Sequence, residues 1–274
     1  MKKKKKFLSY EEERMGDLPS ELSGDFKLAF RFSLPDHIPS SFNFKDKKKR
    51  SKPDAKIKYF VKAKLICEDE DLEIKHKAVM AVRERIGDVQ ANTTISETSE
   101  IKTWCCCSQG TSSLKAQFNK NVFTPMEDAE GELEIDNSEC KVGVSKVEFA
   151  LLQVVKQRIG HHHESTEREI LRQVIQGPAA EEGNWKETMK LELDKIKYEV
   201  PDTKKKKGKT KKISKEDKFA MASLQPACHT KKFSNDYYLT VTTEYDGCVC
   251  CVDLPDAKMS MTIVPLVNPE CLGL

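Results

Sequence analysis

Tyr237-Tyr238-Leu239-Thr240-Val241-Thr242-Thr243-Glu244-Tyr245 decides the fold class of this chain. Tyr237, Leu239, Val241, Thr243 and Tyr245 fall at every second position, which places them on one face of a half-buried strand. Their aromatic and β-branched side chains suit a pleated surface. The same alternation returns on both sides of this stretch. Downstream, Met259, Met261 and Ile263 share a face. Upstream, so do Met189, Leu191 and Leu193, then Val147, Phe149 and Leu151, then Leu133 and Ile135, then Leu114, Ala116 and Phe118. Ile57, Tyr59, Val61, Ala63 and Leu65 oppose a face of mostly lysines, and Glu73 to Val82 reads as a further strand. Phe26, Leu28, Phe30, Phe32 and Leu34 alternate up to Pro35. Glu164 to Ile175 pairs apolar residues four apart, as a helix would, but is read as a strand. Short alternating strands separated by Pro, Gly and Asn turns predict an all-β fold of sandwich type. Residues 86–100, polar and aperiodic, read as a linker.

A chain of 274 residues has room for about two domains. Hydrophobic residues make up 38% and charged residues 33%, enough to bury a core and too apolar for a disordered chain. Forty-seven Lys and Arg against 44 Asp and Glu leave +3, so any basic function must come from clustering. No run approaches the ~18 apolar residues of a membrane-spanning helix. Lys2 to Lys6 precede only Phe7-Leu8 before Ser9, Tyr10 and three glutamates, so no secretory signal is expected and the chain is read as intracellular.

The ten cysteines gather mainly in Cys105-Cys106-Cys107 and Cys248-Val249-Cys250-Cys251. Two readings meet here, a zinc site and buried strand thiols. Zinc sites take paired ligands two to four residues apart, whereas adjacent residues on an extended chain point to opposite faces, so buried thiols are preferred. His161-His162-His163 is read as a polar loop after Gly160 with no carboxylate to orient it. Gly208-Lys209-Thr210 resembles the end of a phosphate-binding loop, but Thr203 stands where that motif needs its first glycine. No nucleophile-and-base pattern has a local frame, so no enzyme, metal or cofactor is expected. Two basic runs remain. Lys47, Lys48, Lys49 and Arg50 lie between strands. Lys204, Lys205, Lys206, Lys207, Lys209, Lys211 and Lys212 belong to a stretch to Lys218 with nine lysines and no apolar period, expected to be a solvated loop. Few aromatics interleave with these lysines, so nucleic acid is not expected as a partner.

Several words stand in a telling order. Gly24-Asp25-Phe26-Lys27-Leu28-Ala29-Phe30-Arg31-Phe32-Ser33-Leu34-Pro35, Ile38-Pro39-Ser40-Ser41-Phe42 and Ile57-Lys58-Tyr59-Phe60-Val61-Lys62-Ala63 resemble the second half of an arrestin N-domain. Trp104-Cys105-Cys106-Cys107 with Gly110 resembles the cysteine-rich opening of an arrestin C-domain. Val122-Phe123-Thr124-Pro125, Ile135-Asp136-Asn137-Ser138, Leu151-Leu152-Gln153, Pro201, Tyr238-Leu239-Thr240-Val241 and Ile263-Val264-Pro265-Leu266 follow in the family's order. The chain resembles an arrestin-domain-containing protein of the alpha-arrestin type. Met126-Glu127 stands where the family usually has Gly-Glu.

The resemblance implies two immunoglobulin-like β-sandwiches, the N-terminal one lacking its first half. On it, 1–23 is an irregular lead-in, 24–97 a partial arrestin N-domain, and 98–270 an arrestin C-domain with a basic insert at 203–218. It implies a non-enzymatic adaptor that binds cytosolic tails of membrane proteins and links them to endocytic or endosomal trafficking machinery. The alternative is a peripheral membrane module that holds anionic lipids through the two lysine-rich runs. Either reading places the protein in the cytoplasm, at the periphery of the plasma membrane or endosomes. The family's Pro-Pro-x-Tyr motif for WW-domain ligases is not in this sequence, so ligase recruitment is not carried over. Cys271-Leu272-Gly273-Leu274 fits a prenylation signal loosely, and Cys271 is expected to stay a free thiol because Gly273 offers no apolar side chain.

Overall fold

The computed structural model describes residues 31–45, 54–67, 72–80, 82, 84, 89–104, 106–159, 161–197, 203–206, 209–212, 224–249 and 252–264. The chain divides into a leading unit, Met1–Pro35, and a unit running from Asp36 to the end. Of the leading unit residues 31–35 are described, and they carry no regular structure. The strand expected over Phe26 to Leu34 therefore lies mostly outside the described residues, and its last part is not a strand. A strand needs a ladder partner as well as alternation, and the described strands begin only at Phe42.

From Phe42 onward the fold is all-β, as the alternation predicts. The strands are β1 Phe42–Lys45, β2 Asp54–Ile57, β3 Tyr59–Cys67, β4 Leu72–Met80, β5 Ala91–Thr103, β6 Cys107–Lys120, β7 Val122–Phe123 and β8 Asp128–Asp136. They continue as β9 Val144–Ile159, β10 His162–Ile175, β11 Trp185–Glu192, β12 Thr203–Lys206, β13 Lys209–Lys212, β14 Cys228–Thr230, β15 Phe233–Tyr245 and β16 Asp256–Ile263. One 3-10 turn, Leu193–Lys195, lies just after β11. No described helix is long and apolar enough to cross a membrane.

Two sheets form the sandwich. The larger runs β10-β9-β15-β16-β7, with β14 paired to the start of β15. The smaller runs β11-β8-β6-β5. The alternating residues of the sequence meet between them: Leu114, Ala116, Phe118, Leu133, Ile135 and Met189 on one side face Val147, Phe149, Leu151, Leu239, Val241 and Met261 on the other, all buried in one cluster. Phe118 and Phe149 touch across the gap with ring centroids 6.2 Å apart. Upstream, β1 pairs with β2 and β3 with β4 as two antiparallel ladders.

Two elements differ from the sequence reading. The polar stretch read as a linker becomes, from Ala91, the 13-residue strand β5, paired along its length to β6. Its inward positions hold Thr93, Ile95, Glu97, Ser99 and Ile101, and only the last is fully buried. An edge strand with hydroxyls and a carboxylate at inward positions shows no apolar period. The lysine stretch is not simply a loop either. Thr203–Lys206 and Lys209–Lys212 form a two-stranded hairpin. The periodicity argument missed it because every position is polar.

Candidate functional site

The sequence-predicted cations are only partly placed. Lys47, Lys48, Lys49, Arg50 and Lys207 lie outside the described residues. Lys204, Lys205 and Lys206 are on β12, and Lys209, Lys211 and Lys212 on β13. The register sets Lys204 opposite Lys211 and Lys206 opposite Lys209. Like charges directly opposite one another disfavour such a pairing.

The described members of the two cysteine clusters are not buried, although Cys107 does open β6. Trp104, with φ 55°, and Cys106 sit in the turn between β5 and β6, and Cys106, Cys107 and Cys248 are exposed and free. A turn projects successive side chains outward, which the extended-chain argument did not allow for. The structure does bring the clusters side by side: Trp104 N–H donates to the Cys248 carbonyl at 3.2 Å, and Thr103 bridges Val249. Cys105, Cys250, Cys251 and Cys271 lie outside the described residues. Cys140 and Cys228 are buried, and burial together with the nearby Glu84 charge pushes the Cys228 thiol up to about 12. Among the described residues no group of three His, Cys, Asp or Glu is arranged to hold a metal. The triple histidine is a loop only at its start: His161 is in a turn, and His162 and His163 open β10.

Where the larger sheet outruns the smaller one, its end is closed by chain from far upstream. Phe42 packs on Phe233, centroids 4.7 Å apart, and shares a buried cluster with Val155 and Cys228. Ser40 and Ser41 tie this segment to the chain just beyond β4: Ser40 Oγ accepts from the Glu84 amide at 2.9 Å, and Ser41 Oγ from the Val82 amide at 2.9 Å. Glu84 then reaches β14. Its carboxylate accepts the His229 amide at 3.0 Å and lies 3.2 Å from His229 Nδ1, while His229 Nε2 lies 2.8 Å from Asp236. The Asp236 contact raises the His229 pKa; burial opposes this, and the Glu84 charge adds to the rise. On the inner face, Gln153 Nε2 donates to Asn235 Oδ1 and to the Tyr237 hydroxyl, Tyr237 donates to the Gln225 carbonyl at 2.7 Å, and Arg168 Nε donates to Gln153 Oε1.

The outer face of the smaller sheet carries a shallow open groove of about 330 Å³ lined by Lys115, Gln117, Glu132, Glu134, Lys186 and Thr188. Glu134 is bridged there by Lys115 and Lys186, at 3.3 and 3.1 Å.

Over residues 108–266, more than half of the chain, the sequence matches the family described as Arrestin (or S-antigen), C-terminal domain. This chain belongs to the arrestin family. The sandwich is thus an arrestin C-terminal domain, with β5 just ahead of the matched stretch completing its smaller sheet. The chain is similar to arrestin domain-containing protein 5 of Bos taurus, with 31% identity over 134 residues, 47% of this chain and 37% of that protein. Against the Homo sapiens protein of the same name it is 29% identical over 132 residues, 47% of this chain and 36% of that one. The match spans little more than a third of the length of these curated relatives. Several family words have structural work in this arrestin domain. Thr124 and Glu127 close the turn after β7, where the Thr124 amide donates to the Glu127 carboxylate at 2.8 Å. Asn137 crosslinks two loops through the Val142 and Ala179 carbonyls, at 2.9 and 3.0 Å. The His229 contacts had no signal in the sequence, because Glu84 and Asp236 are ordinary acids until the fold aligns them.

Proposed function

We propose that this chain is a non-enzymatic arrestin-like adaptor that binds cytosolic regions of membrane proteins and links them to endocytic or endosomal trafficking. The family match over the sandwich is the observation that carries this reading. The geometry is compatible with it, since the exposed features are sheet faces, an edge and charged rows that suit protein contact. The test is capture of the full chain by immobilised cytosolic tails of membrane proteins, with the same tails in scrambled order as controls. Equal capture by scrambled tails would sink the reading.

A second reading is favoured by one feature. The register sets lysine opposite lysine on β12 and β13, and an anionic membrane would attract that charge at about 1 kcal/mol per lysine near the surface. Changing Lys204, Lys206, Lys209 and Lys211 to glutamine is then expected to weaken co-sedimentation with phosphatidylserine vesicles and to flatten its salt dependence. Unchanged sedimentation would leave the hairpin as a solvated feature.

A further inference from the structure

The end of the larger sheet gathers cations that no sequence run announced. Three registers align there. His163 of β10 is opposite Arg158 of β9, and the Arg158 amide donates at 2.8 Å to the carbonyl of Lys232, in the turn between β14 and β15. In the next row, Ser165, Lys156, Ser234 and His229 stand abreast on β10, β9, β15 and β14. Residues abreast, and residues two apart on one strand, share a face. The outcome is a row of His163, Arg158 and Lys232 about 5 Å apart, backed by Lys156 between two serine hydroxyls. Lys156, Arg158, His163, Lys231 and Lys232 are all exposed. The acids nearby are Glu167 and Asp236, one row further on, and Glu84. Asp236 accepts from Ser234 at 2.8 Å, contacts His229 and feels the Lys156 charge, and Glu84 is held on His229.

We infer that this face binds a short acidic peptide segment of a partner protein, through clustered Asp and Glu carboxylates. Arg158 offers a fork that matches a carboxylate in two parallel bonds, Lys156 and Lys232 add point charges, and the Ser165 hydroxyl adds a short-range donor. A lipid surface fits less well, because none of the exposed large apolar side chains among the described residues lies on these strand ends. The inference deepens the adaptor reading and rests on it: it names one surface and one partner chemistry.

The experiment is fluorescence anisotropy of a short labelled peptide of alternating Glu and Asp with the full chain, wild type and Lys156→Gln/Arg158→Gln/Lys232→Gln. The triple variant is expected to bind about tenfold more weakly, the sum of several exposed charge contacts, with its thermal midpoint kept. A Lys204→Gln/Lys206→Gln/Lys211→Gln variant is expected to bind like the wild type. Equal affinity of the triple variant overturns the inference. So does binding only when phosphoserines replace the acids, or only to phosphatidylserine vesicles. If membrane-protein tails are captured equally by wild type and triple variant, the adaptor reading stands and this one falls. If the acidic peptide binds through this face but no tail is captured, the adaptor reading falls instead.

Discussion

Single residues show how the family words become structure. Asn137 is wholly buried, and its amide nitrogen holds the carbonyls of Val142 and Ala179, 42 residues apart from the second of them. Asn137→Ala removes the donor that both part-buried carbonyls share, and is expected to cost about 1–3 kcal/mol in all, read as a lower midpoint in denaturant unfolding. Gly110 sits at φ 110°, at the bulge where β6 slips past β5, and an added Cβ would strike the Glu139 carbonyl. Gly110→Ala is therefore expected to destabilise by at least about 1–3 kcal/mol, since both conformation and space oppose it. Tolerance of that change in thermal unfolding would contradict the bulge geometry. Both residues were visible in the sequence as parts of motif words. Their reasons were not, because each acts on a carbonyl from another loop.

At the scale of elements, β14 is where pH should act. The pKa of His229 is raised above its ordinary 6.5, chiefly by its contact with Asp236. Burial pushes Asp236 upward, but its hydrogen bonds with His229 and Ser234 outweigh that and hold it below 3.8. A group raised on folding stabilises fully below its unfolded value and loses that contribution as pH climbs through the folded one. A group lowered on folding loses its contribution as pH falls through its folded value. The contact between Glu84, His229 and Asp236 is thus expected to be firmest at pH between 3.8 and 6.5, and to loosen towards alkaline pH. Hydrogen exchange of Ser41 and Val82, whose backbones pair at 2.8 Å, should be less protected at pH 8 than at pH 5.5 after correction for intrinsic rates. His229→Gln should remove the difference. A pH effect of the same size in that variant would place its origin elsewhere.

Across the whole molecule, what was legible tracked burial. The strands β6, β8, β9, β11, β15 and β16 were readable because period-two burial leaves a period-two sequence. What was hidden had polar inner positions, as in β5, or no apolar position, as in β12 and β13, or an order set by distant partners, as in the cation rows. The hidden β5 changes where the C-terminal sandwich begins. From the sequence, the C-terminal domain would start at residue 98. In the structure β5 is laddered to β6 from Ala91 to Thr103, Ile101 is fully buried, and Glu97 accepts the Asp256 amide at 2.9 Å from the start of β16. Cutting within 91–103 would have to break that ladder and leave a void where Ile101 sat, a loss of about 2–5 kcal/mol for an aliphatic core side chain alone. A protease acting on the native chain pays that opening energy before each cut, so cleavage there should be slow relative to cleavage upstream. Limited proteolysis of the full chain with N-terminal sequencing of the products is expected to give a resistant core whose first residue lies at or before Ala91. A stable core beginning between Ala91 and Trp104 would mean that β5 is dispensable and that the sandwich closes without it.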